Sequence, residues 1–285
     1  MLFKKNITNV VWEINFLHPI WRLFPNHQNC IITEVRNVTE KVVSFYCIDA
    51  VTGKSRWADI QLSQTWWVGI EGVFGDVVIL HEYERPDLPA HKKIIVVDIN
   101  TGKILWSNNE LIFVSSDNNY LIASRNSFAA TQKLKLNLLT GETLCEVSED
   151  GFKNRLKELK INEQLYYQTP AEHSINELPN ETVHRFIKKQ NNASDIVDPV
   201  EVLTNVANDV NVIGYSRKVN DDIAAPTYDE YICVLSNKNK IFYTDKIISS
   251  ANMPVIPKYF WKGNFLYYIK DKTILKAVKL YESNN

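Results

Sequence analysis

Short apolar runs of four to eight residues, many of them alternating with polar positions, recur along the whole chain and are separated by polar, turn-forming clusters. That period of two predicts strands, and the spacing predicts antiparallel meanders. The first four-strand unit is predicted over residues 20–24, 30–35, 42–49 and 55–60. The second covers 66–70, 76–82, 93–98 and 104–107, and the third 111–115, 120–124, 133–137 and 143–147. A fourth unit is expected at 156–161, 164–168, 182–188 and 200–204. A fifth, less regular, is expected at 211–217, 231–236 and 241–245, preceded by a weak strand near 202–206. The last unit, 257–261, 265–270 and 274–281, is one strand short. The run around Trp12, residues 8–16, can supply the missing strand, because an array that closes on itself must cover its raw edges.

One phrase punctuates the first half. It reads Asp49-Ala-Val-Thr52-Gly53-Lys54-Ser-Arg-Trp57, then Asp98-Ile-Asn-Thr101-Gly102-Lys103-Ile-Leu-Trp106, then Asn137-Leu-Leu-Thr140-Gly141-Glu142-Thr-Leu-Cys145. A strand-and-turn unit recurring at this interval marks a repeat array. Each glycine (Gly53, Gly102, Gly141) is expected to supply a positive φ between the third and fourth strands. Asp49, Asp98 and Asn137 are expected to bond the turn backbone. Together these readings predict an all-β fold, a β-propeller of four-stranded antiparallel blades forming a single domain over 1–285. Six blades, closed by the N-terminal strand, fit best. Seven is the alternative, should residues 178–204 hide a further blade.

The phrase resembles the repeat of the quinoprotein-like (PQQ-type) β-propellers, and the overall length also looks like that of an uncharacterised bacterial family of them. The resemblance implies that Trp57 and Trp106, early in the outermost strand, dock between neighbouring blades. It does not extend to a quinone enzyme. That class, by the same resemblance, has eight blades, an adjacent-cysteine disulfide and a bound Ca²⁺, whereas this chain is short and has no Cys-Cys pair. No cofactor is expected.

Composition narrows function mainly by exclusion. Net charge is −1, with 32 basic and 33 acidic residues. The densest basic stretch, 153–160, is interrupted by Glu158, so no nucleic-acid partner is expected. No apolar run follows the start, none is long enough to span a membrane, and the four cysteines are scattered. The expectation is a cytoplasmic protein with free thiols and no membrane partner.

Three predicted loops on one face are long: 82–92, 170–181 and 218–230. They carry Glu82, Glu84, Asp87, His91, His173, Asp221, Asp222 and Asp229. Unequal loops on one face commonly carry function. The expected function is binding or scaffolding of a protein or peptide there. The alternative is a hydrolase or lyase acting on a sugar-like polar substrate at the central channel mouth, with carboxylates such as Glu71, Glu82 or Asp221 drawn from different blades. No His-x-His, His-Glu-x-x-His or acidic Ca²⁺-loop spacing occurs, so no metal site is assigned. No nucleophile elbow or glycine-rich phosphate loop is present.

Overall fold

The computed structural model describes residues 8–85, 88–126, 131–148, 167–189, 195–206, 210–220, 225–254 and 259–280. Among these are 21 strands and one helix, arranged in five antiparallel sheets. The chain divides into two compact units, one of His18–Tyr166, the other of Met1–Leu17 with Tyr167–Asn285.

In the 18–166 unit the predicted meanders form in order. Strands β2 (Ile20–Pro25), β3 (Cys30–Asn37), β4 (Val42–Asp49) and β5 (Ser55–Ile60) make the first sheet. Strands β6 (Val68–Phe74), β7 (Val77–Arg85), β8 (Leu88–Asp98) and β9 (Ile104–Asn108) make the second. The third contains β10 (Ile112–Ser116), β11 (Tyr120–Asn126), β12 (Thr131–Asn137) and β13 (Thr143–Glu146). The middle strands carry most of the buried positions, and the fourth strand of each sheet is the most exposed. Two cores fill the spaces between sheets. Ile32, Phe45, Ile70 and Leu80 belong to one; Ile79, Val96, Leu121 and Leu136 belong to the other.

The Thr-Gly turns behave as the phrase dictates. Gly53, Gly102 and Gly141 sit at φ 72°, 72° and 73°. Asp49 Oδ1 accepts from the Thr52 backbone NH and hydroxyl at 2.9 and 2.8 Å, and Asp98 Oδ1 repeats this with Thr101 at 2.7 Å each. The Asn137 amide oxygen accepts from the Thr140 NH at 3.0 Å. Each tryptophan locks onto the next turn. Trp57 Nε1 donates to the Ile99 carbonyl at 2.8 Å, and Trp106 Nε1 to the Leu138 carbonyl at 3.0 Å. A Cβ at Gly102 would fall 2.3 Å from Ile60 Cδ1 and 2.9 Å from Trp57 Cγ; one at Gly141 would fall 2.7 Å from Trp106 Cδ2. The glycines are therefore required twice, for the turn and for the neighbouring indole.

In the other unit, β1 (Thr8–Asn15) pairs antiparallel with β21 (Ile274–Leu280). The sheet continues through β20 (Phe265–Lys270) to β19 (Tyr259–Lys262). The N-terminal strand thus supplies the missing member of the last predicted unit. The fifth sheet holds β14 (Ala171–His173), β15 (Ile196–Val206), β16 (Val210–Lys218), β17 (Tyr228–Ser236) and β18 (Ile241–Ala251).

The predicted fourth unit is where expectation and structure part. Most of its first two strands, 156–161 and 164–168, lies outside the described residues; Gln168 makes an isolated bridge to Trp261. The run at 182–188 is helix, α1 (Glu181–Lys189), not strand. The Asn180 side chain caps it, accepting from Val183 NH at 3.0 Å. Val183, Phe186 and Ile187 form one buried stripe at helical spacing, and Glu181 and Lys188/Lys189 suit the helix dipole. Residues 200–204 belong to β15 of the five-stranded sheet, whose face α1 covers through Ile213, Tyr215 and Leu235.

One register in that sheet predicts a pH effect. Glu172 on β14 lies directly opposite Glu201 on β15. Burial, then the Glu172 charge, pushes the Glu201 carboxyl from its ordinary value of 4.5 up to about 7, and Glu201 Oε2 has no hydrogen-bond partner among the described residues. A raised carboxyl holds its proton more tightly folded than unfolded. Its contribution is complete below about pH 4.5 and is lost as pH rises through about 7. Glu201→Gln should therefore raise stability at pH 8 by about 1 kcal/mol and leave it unchanged at pH 4, as read by urea denaturation. An equal effect at both pH values would refute the charge argument.

Candidate functional site

The richest chemistry among the described residues lies in the second sheet and the strands beside it. Two of the expected long loops are shorter than the sequence suggested. Strands β7 and β8 continue past 82 and before 92, so Glu82, Glu84 and His91 are strand residues, not loop residues. Asp229 likewise lies on β17 and His173 on β14. The reason is the pairing itself: the hairpin ladders extend through polar positions that alternation alone marks as turns. Asp87, Asp221 and Asp222 lie outside the described residues.

Two of these carboxylates are engaged by lysines of their own sheets. Glu82 is tied to Lys93 at 2.7 Å. Asp229 is held by Lys246, by the Ser250 NH at 3.0 Å and by the Tyr231 hydroxyl at 3.3 Å. Glu84 is exposed and His173 half-buried.

His91 has different company. Its Nδ1 is 2.7 Å from Glu71 Oε1, and His81 Nδ1 is 3.2 Å from the same oxygen. The two imidazoles stack at 3.6 Å, within 9° of parallel, and Tyr83 meets both edge-on. Glu71 is placed by a bulge: between Ile70 and Gly72 the register of β6 against β7 slips. A second slip falls in β7/β8 between His81 and Glu82, where Lys93 has φ 60°. His81 is 0% exposed, packed so closely on Gly69 that a Cβ there would lie 3.0 Å from His81 Cε1. His81 Nε2 has no hydrogen-bond partner among the described residues, and the Nδ1 contact to Glu71 is poorly aligned. Burial first, then the His91 and Arg22 charges, lower the His81 pKa against the pull of Glu71. Glu71 is held below the usual carboxylate range by both histidines, which outweigh the upward push of burial.

Next to this cluster is a second one. Arg36 pairs with Glu34 at 2.6 Å and donates to the Val68 and Trp66 carbonyls at 2.6 and 3.2 Å. Glu34 Oε2 accepts from Ile70 NH at 3.3 Å. The guanidinium lies under Trp21 and Trp66, at 5.5 and 5.1 Å from the ring centroids. Trp66 meets Trp67 edge-on, and Trp67 meets Tyr83 edge-on. An aromatic run therefore extends from Trp21, 51% exposed, to the stacked histidines.

The sequence reading missed the grouping of Glu71, His81 and His91. It searched for ligands close together in the chain, whereas these stand ten residues apart on three successive strands. That spacing was the available signal, but the two bulges decide which face each side chain takes.

Comparisons with known proteins leave the function open. Residues 25–106 match the family model of a domain of unknown function, DUF4905. No curated protein matches the chain. Among solved structures, a member of the DUF4221 family from Bacteroides vulgatus aligns with 99% of this chain and 100% of its own, at 8% identity and TM-score 0.37. The uncharacterised protein lmo1340 of Listeria monocytogenes aligns over 89% and 90%, at 7% identity and TM-score 0.35. Kluyveromyces lactis Hsv2 aligns over 93% and 75%, at 9% identity and TM-score 0.29. Scores this low carry no argument about this chain. No helix among the described residues is long and apolar enough to cross a membrane.

Proposed function

We propose that the protein is a binding module, a β-propeller that holds a protein or peptide partner. The propeller reading is supported by the four-stranded meanders, the interlocked Thr-Gly turns and the pairing of the N-terminal strand with the last sheet. The same turns support a structural kinship with quinoprotein-like repeats. In this reading the five sheets are blades. The first two strands expected of a further one fall almost wholly outside the described residues.

The observation that carries the binding reading is the aromatic run from Trp21 to Tyr83. Trp21 is half exposed, yet it rests on a guanidinium whose own position is fixed by a buried carboxylate and two carbonyls. A rigid aromatic anchor loses little entropy on binding, and such residues dominate interface energetics. The contact surface is therefore centred on Trp21, with Tyr83 and His91 at its far end.

Capture from native lysate tests this. The wild type should retain a partner that Trp21→Ala and Tyr83→Ala both lose, with circular dichroism unchanged. Equal capture by all three, or none by the wild type, would overturn the reading.

A further inference from the structure

The geometry points to a site for one zinc-class divalent cation, ligated by Glu71, His81 and His91. Their ligand atoms all lie within 4.8 Å of one another. Two imidazoles and one carboxylate are a donor set suited to zinc, with bonds of about 2.0–2.2 Å and a fourth position left open. The second, independent observation is His81 itself. Its Nε2 is buried with no hydrogen-bond partner among the described residues, which is unusual because buried polar groups are nearly always satisfied. Nδ1 lies 3.2 Å from Glu71 Oε1 in a poorly aligned contact, and an ion there would bind both groups.

The surroundings suit a ligand role. His91 Nδ1 lies 2.7 Å from Glu71 Oε1, and binding of an ion between them would release any proton they share. Gly69 packs closely against the His81 ring, so that a Cβ there would lie 3.0 Å from Cε1. Outside the three donors, Arg22 donates to the Ile70 carbonyl at 2.9 Å, fixing the strand that carries Glu71.

One movement is required. Parallel rings cannot both aim an in-plane lone pair at a single ion. His81 is locked, whereas the His91 side chain is 32% exposed. His91 is therefore the ring that tilts, opening the stack as the ion enters.

The test is calorimetric titration of Zn²⁺ into the chelator-treated full chain, paired with visible absorption on titrating Co²⁺. The expected result is one equivalent per chain and a Co²⁺ spectrum of low coordination number. His91→Ala and Glu71→Gln should each weaken binding at least about tenfold. Both positions are partly solvent-facing, and their folding is checked by circular dichroism. His173→Ala, in the other unit, should leave the affinity unchanged. Absence of stoichiometric binding by the wild type would overturn the proposal, as would binding unaltered by His91→Ala and Glu71→Gln.

Discussion

Glu34→Ala should cost about 3–5 kcal/mol of folding stability, among the largest losses expected of any single substitution in this chain. The Glu34 side chain is 0% exposed and Arg36 nearly so. Deleting the carboxylate leaves a guanidinium buried between two indoles with only carbonyls to answer its charge. It also removes the acceptor for Ile70 NH and so loosens β3 from β6. The pair itself need not be net stabilising, since both charges were taken out of water. The double variant Glu34→Leu/Arg36→Met should therefore recover most of the loss. Equilibrium denaturation checks both statements. A loss below about 1 kcal/mol for Glu34→Ala would show that water reaches the pair.

Trp106→Ala should lose about 3 kcal/mol, near the lower end of the range for a large aromatic because the ring is only partly buried. The indole lies over Gly141, bonds the Leu138 carbonyl and packs on the core between the second and third sheets. Gly141→Ala should be destabilising for two reasons: the positive φ, about 1 kcal/mol, and the clash with Trp106. In the Trp106→Ala background only the first remains. A double-mutant cycle should therefore show the two sites coupled, the double variant being more stable than the sum of the single losses implies. Strict additivity would mean that ring and turn do not depend on each other.

The same two predictions show what could be read without coordinates. The Thr-Gly phrase is local chemistry: an Asx bond, a left-handed glycine and a strand on either side. Its turns at Gly53, Gly102 and Gly141 follow from the sequence, as do the strands that flank them. The need for the N-terminal strand was also legible, because a three-strand unit leaves an edge to cover. The helix at Glu181–Lys189 was misread as strand although Asn180 and the 183/186/187 stripe were visible, since a short apolar run can satisfy either period. The site was legible only in fragments. His91 stands among the expected loop-face residues and Glu71 among the candidate carboxylates.

Sequence by itself determined the all-β class, the turn chemistry and the strand order of the first three sheets, because each depends on neighbours in the chain. Tertiary structure alone decided that Glu71, His81 and His91 share one oxygen's surroundings, and that Arg36 is buried between Trp21 and Trp66. The reason is the period of two. A single bulge moves every later side chain to the opposite face, and whether a bulge forms is settled by the partner strand, not by the residues that bulge.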